Sequence, residues 1–181
     1  MQFKLTQFGN PILRQSAHQL TRSEIFSKDT QNIITNMRAT LAQKRYGIGL
    51  AAPQIGQSLA VALVSLKPTP TRPNAPILHL TLINPMIVKT YGRRSPLWEG
   101  CISGPAMFAK VPRYRHLRLR WLDERGCRQE QDFTDLAAHV IQHEVDHLHG
   151  ILFVDKVKDT TSYVTATEYR KLRRAEQQQN S

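Results

Sequence analysis

The chain is poor in the features that mark secreted, membrane-spanning or fibrous proteins. It has two cysteines, Cys101 and Cys127, in 181 residues, too few for a disulfide framework. Each therefore reads as a reduced thiol in a reducing compartment. No apolar run approaches the roughly 20 residues that span a bilayer, so no membrane partner is expected. The start, Met1-Gln2-Phe3-Lys4-Leu5-Thr6, lacks the charged opening and apolar stretch of a signal peptide, and a cytoplasmic protein is the expectation. Repeats and long low-complexity segments are absent. Acidic residues are also scarce, with 14 Asp and Glu against 25 Lys and Arg, a net charge of +11. Clustered, such charge suits a polyanion such as RNA; dispersed, it is an ordinary solvated surface. The densest basic stretches run from Arg113 to Arg120 and from Tyr169 to Arg174.

What is present fits one globular domain. The length and 40% hydrophobic content suffice for a core. Gly9-Asn10-Pro11 reads as a turn, and residues 28–45 as an amphipathic helix capped by Ser27 or Asp29, with Ile33, Ile34, Met37 and Leu41 on one face. Residues 47–56 form a Gly-rich loop or irregular strand, and 59–66 a buried strand. Four prolines make 67–76 an exposed connector. Strands are expected at 77–83 and 86–91, separated by Asn84-Pro85, and around the alternating Leu117, Leu119 and Trp121. After the turn at 123–126 come a return strand over 127–133 and a helix from Thr134 or Asp135 to about His149, closed by Gly150. A strand at 151–154 and a helix from 160 to Arg174, fraying beyond Gln177, complete the expectation. The fold class is α+β: short antiparallel or mixed strands packed around a central helix. Residues 1–160 are expected to form the one domain and 161–181 a basic helix or tail.

The central helix carries Gln142-His143-Glu144-Val145-Asp146-His147, an H-E-x-x-H motif. Imidazoles four residues apart share a helical face, so His143 and His147 can bind one metal ion, and Glu144 beside them is a candidate general base. The third ligand decides the chemistry. A histidine six residues after the second would complete one protease pattern, but Phe153 stands there. A downstream carboxylate, Glu168, is a second option, though its Arg-rich surroundings suit a solvated helix residue. Cys101, in Trp98-Glu99-Gly100-Cys101-Ile102-Ser103, is the better candidate. Alone it reads as a small buried hydrophobe. Beside two histidines it completes three protein ligands with one open position. Gly47-Ile48-Gly49-Leu50-Ala51-Ala52-Pro53-Gln54 mimics a dinucleotide fingerprint. That reading needs a strand before, a helix after and an acid about 20 residues on. None is present, and no nucleotide cofactor is expected. The Gln54 amide can instead donate into the site.

Taken together and in this order, the segments 47–54, Glu99-Gly100-Cys101-Ile102-Ser103 and 142–147 resemble the three signature motifs of the peptide deformylases. Asn10-Pro11-Ile12-Leu13-Arg14, Leu82-Ile83-Asn84-Pro85 and Val111-Pro112-Arg113 extend the likeness over about residues 5–158. The resemblance implies removal of the formyl group from formylmethionine on newly made chains. It implies one divalent metal ion on Cys101, His143 and His147, natively Fe2+, with Ni2+, Co2+ or Zn2+ as substitutes. Glu144 is then the proton carrier, and the Gln54 amide and Ile102 N–H stabilise the oxyanion. The backbone at Ile48 and Gly49 pairs with the substrate, and Gly100, Arg113, Leu136 and Val140 join its binding site. Core packing is the alternative for Leu136 and Val140. Asp146 orients a ligand or pairs with a cation such as Arg113. Because the substrates are nascent chains, the basic tail is expected to favour ribosome association. Three departures touch the cleft. Gly104 lies where an aliphatic residue is usual, 106–110 is atypical, and His139 occupies a place that is apolar in some members.

Overall fold

The computed structural model describes residues 3–44, 47–69 and 72–179. A short helix α1 (Arg22–Ile25) leads into α2 (Lys28–Ala42), where the Ser27 hydroxyl accepts from the Thr30 N–H at 3.2 Å as the N-cap. Ile34, Met37 and Leu41 are buried and Ile33 partly so, as the spacing predicts. The helix stops at Ala42, before the expected end; Arg45 and Tyr46 lie outside the described residues, as do Pro70 and Thr71 of the connector.

Among the described residues the strands form one six-stranded antiparallel sheet. Its path is β1 (Gly49–Ala51), β2 (Val61–Leu66), β3 (Leu78–Glu99), β4 (Met107–Leu122) and β5 (Arg128–Thr134), and β6 (Val164–Thr165) joins the far end of β4. β2 is buried on both faces, which is why it reads as an unbroken apolar run. Ala62, Val64 and Leu66 face one core cluster with α3 (Asp135–Leu148); Val61 and Leu63 face the other with α2.

β3 and β4 are longer than expected. The two strands anticipated around Asn84-Pro85 are one, because a register shift between Ile83 and Met86 absorbs the proline's missing N–H. Asn84 takes a φ of 49° there, held by its side chain, which accepts from the Leu20 N–H at 2.9 Å and donates to the Leu20 carbonyl at 2.7 Å. The expected strand at 151–154 is instead a 3-10 turn, Phe153–Lys156. The Asp155 carboxylate accepts from the Leu152 N–H at 2.8 Å and pairs with Arg14, which closes the chain into a turn. α4 (Ala166–Gln179) runs past Arg174; of the expected fraying end, Asn180 and Ser181 lie outside the described residues.

α3 lies against β1, β2 and β4 and ends abruptly. The Ile151 N–H donates to the Asp146 carbonyl at 3.0 Å and the Gly150 N–H to that of His147 at 3.3 Å, a Schellman cap with Gly150 at φ 72°. A Cβ on Gly150 would lie 2.5 Å from the Arg14 carbonyl oxygen. Gly150→Ala is therefore expected to destabilise the fold by about 1–3 kcal/mol. At this size that is a fall in Tm of about 2–4 °C per kcal/mol, checked by calorimetry.

Candidate active site

Helical periodicity brings the two motif histidines together. His143 and His147 lie one turn apart on α3, with ring centroids 4.9 Å apart. The turn after β3 delivers the third donor. Cys101 Sγ lies 3.3 Å from His147 Nε2, and the donor atoms of Cys101, His143 and His147 all fall within 4.8 Å of one another. Glycine is required beside the cysteine, since a Cβ on Gly100 would lie 2.6 Å from the Phe108 ring. The Gly104 N–H then donates to the Cys101 carbonyl at 3.0 Å and tightens the turn. The Phe8 ring occupies the space beside Gly104, 3.2 Å from where a side chain would begin. One sulfur and two imidazole nitrogens converging in this way suit a transition metal with an open position. Glu168, the alternative ligand, is instead exposed on α4 and accepts from Lys171 Nζ at 2.8 Å.

Behind the triad lies a carboxylate. β3 pairs with β4 so that Ser95 opposes Arg113 and Glu99 opposes Ala109, and alternation turns Glu99 and Arg113 to the same face. Arg113 Nε donates to Glu99 Oε1 at 2.7 Å and Nη2 to Oε2 at 3.0 Å. His143 Nδ1 lies 2.8 Å from the same Oε2, which leaves its Nε2 for the metal side. Asp146 pairs with Arg113 from the other side, as the sequence suggests. Burial alone would raise the Glu99 pKa, but His139, His143 and Arg113 outweigh it and hold the group far below the ordinary range. Burial would likewise lower His143, yet its bonds to Cys101 and Glu99 keep it well above its usual value. His147 is held well below its usual value by burial and by the His143 and Arg113 charges. Arg113, expected to meet the substrate, is 5% exposed, and its guanidinium is occupied by Glu99 and Asp146.

Glu144 faces the triad from the helix, buried, with Oε2 lacking a partner among the described residues. Burial pushes its pKa up to about 7 against the pull of His143. A Cβ on Gly49 would overlap the Glu144 carboxylate, so only glycine lets β1 pass this close. Gln54 is 1% exposed, not a surface amide. Its Oε1 accepts from the Ala51 N–H at 2.7 Å, which aims Nε2 at Cys101 Sγ (3.2 Å) and Ser103 Oγ (3.3 Å). The Ile102 N–H meets no acceptor among the described residues. Leu136, two turns before His143, lines a cavity of about 490 Å³, whereas Val140 is buried in the core beneath it. Sequence reasoning assigned no role to Glu99 or Ser103. An acid two residues before a ligating cysteine, on one strand face, is the signal that could have found Glu99 as the partner of a ligating imidazole.

A sequence model described as polypeptide deformylase matches residues 2–163. Peptide deformylase 2 of Nostoc sp. is 38% identical over 169 residues, 93% of each chain. The peptide deformylase of Thermomicrobium roseum is 39% identical over 85% of each. The chain belongs to the polypeptide deformylase family. Among solved structures, the Met-Ala-Ser-bound class I type b peptide deformylase of Acinetobacter baumannii superposes with a TM-score of 0.82 at 32% identity, covering 87% of this chain and 99% of that one. The Thermotoga maritima peptide deformylase does so at 0.76 and 29%, covering 88% and 99%. Deformylases are metal-dependent hydrolases of protein biosynthesis that remove the N-formyl group from nascent peptides, and this enzyme has that activity. Among the described residues, no helix of this deformylase is long and apolar enough to cross a membrane. Glu99→Gln is expected to weaken metal binding about 10- to 100-fold, while Glu168→Ala leaves it unchanged. Metal retained after dialysis against a graded chelator series checks both.

Proposed function

We propose that Cys101, His143 and His147 hold one divalent metal ion, natively Fe2+, and that Glu144 carries the proton in hydrolysis of the formyl group. The observation that supports this most is the three donor atoms within 4.8 Å beside a buried, unpartnered carboxylate oxygen. When bound, the ion acidifies water and polarises the formyl oxygen. Nickel and cobalt suit the same donors, as does zinc. Glu144 takes the proton of the attacking water and delivers it to the amine nitrogen as the C–N bond breaks, giving formate and a free N-terminus. The oxyanion of the tetrahedral intermediate accepts from the Gln54 amide and the Ile102 N–H. Removing one such donor typically raises a barrier by about 3 kcal/mol.

The substrate pairs as an added strand. β1 has β2 as its single sheet neighbour, leaving one edge free. The Ser65 N–H donates to the Ile48 carbonyl at 2.9 Å, so by alternation Gly49 directs its own N–H and C=O off that edge. Ile48 and Gly100 flank this line, and the methionine side chain enters the cavity beside Leu136. Such substrates place the enzyme in the cytoplasm.

Residues 161–181 form a basic appendage on the catalytic domain of residues 1–160, and we infer that they favour ribosome association. Tyr169 stacks on Phe108 with centroids 4.0 Å apart, which fixes α4, while Arg170, Lys171 and Arg174 are exposed. Reversing the charge at Arg170 and Arg174 should weaken co-sedimentation with ribosomes at low salt and leave peptide turnover intact; unchanged binding refutes the assignment.

Formate release from a formyl-Met peptide, with protein prepared without oxygen and loaded with iron or nickel, tests the catalytic reading. Turnover should require metal and disappear in Glu144→Ala. Cys101→Ala should lose the metal; retention would refute the ligand set.

A further inference from the structure

His139 stands on α3 one turn before His143 and is 5% exposed. Its Nε2 lies 2.6 Å from Glu99 Oε1 without completing a hydrogen bond, and both ring nitrogens are buried with no hydrogen-bond partner among the described residues. Glu99 is a carboxylate already bound by Arg113, and the Nδ1 edge of the ring is turned away from it. That side chain is also in the wall of the cavity of about 490 Å³. Leu97, Leu136 and Arg113 share the wall, and Arg93 and Arg115 flank it from β3 and β4. Arginines, Ser95, Tyr114 and Asp135 border the cavity, and among its lining residues His139 is a buried polar group that the mechanism does not use. Filling the cavity with a purely apolar chain would seal that group without a partner, which is unfavourable. A ligand group that bonds to it removes the penalty.

We propose that His139 is a specificity-determining residue of this enzyme. It makes the cavity favour an unbranched first side chain that ends in a hydrogen-bonding group, such as a carboxamide or a sulfoxide, over an apolar chain of equal length. The proposal rests on the reading that the substrate's first side chain enters this cavity. Methionine, with a weakly accepting sulfur, falls between the two extremes. The carboxamide is the informative probe, because it both donates and accepts and so pairs with either state of the ring.

The test compares kcat/KM for formyl-Gln, formyl-Met and formyl-norleucine peptides of otherwise identical sequence, three first residues of nearly equal length. In the metal-loaded enzyme the Gln to norleucine ratio is the readout. His139→Leu should lower that ratio about 10-fold, within the 5- to 100-fold range expected for an unpaired buried polar group. His139→Gln, which restores a hydrogen-bonding tip, should recover most of it. A purely structural role would lower all three substrates together and leave the ratio unchanged. A ratio that moves less than twofold in His139→Leu overturns the proposal while formyl-Met turnover persists. No turnover of any of the three by the unaltered enzyme would instead defeat the catalytic reading on which it rests.

Discussion

The Glu99 carboxylate is the constraint on which the site depends. It sits buried at the end of β3 and is shared by Arg113, His143 and His139. A charge removed from water in this way persists only when its oxygens are fully engaged. Each engagement also orients something useful. The arginine ties β4 to β3 and reaches Asp146, which anchors α3 from below. The His143 contact selects which ring nitrogen faces outward. Register, helix position and imidazole tautomer therefore follow from one ionised group, and loss of Arg113 would leave a buried charge uncompensated.

Much of this was legible in the chain. The i, i+4 histidines, the Ser27 cap of α2, the Gly150 close of α3 and the both-faces-buried β2 are local patterns that survive folding, whereas Thr134 at the start of α3 makes no side-chain capping bond. The convergence of Cys101 on the histidines is non-local and was reached through three motifs in a familiar order, since no spacing rule links residues 101 and 143. Missing from the sequence view were compensations made at a distance. Pro85 looked like a strand break, yet Asn84 satisfies the Leu20 backbone and the strand continues. Residues 151–154 looked like a strand, yet Asp155 and Arg14 close them into a turn. Arg113 was expected to join the substrate site and to be a possible partner of Asp146, and the β3–β4 register turns it onto Glu99 as well.

The departures from the family pattern have separate physical roles. Gly104 leaves room that Phe8 fills, so its effect is packing. Phe108, in the atypical 106–110 stretch, lies against Gly100 and stacks on Tyr169. One aromatic ring thereby touches both the metal loop and the C-terminal helix. His139 alone among these changes adds a polar atom to the cleft.

The close passage of β1 over Glu144 has a further consequence. A Cβ on Gly49 would lie 2.1 Å from a Glu144 carboxylate oxygen, so a side chain there would displace the base. Main chain has no rotamers. A substrate hydrogen-bonded along that edge is thus aligned to the base by a rigid stretch of main chain. The entropy of bringing base and substrate into register is lost when the protein folds, rather than at each turnover.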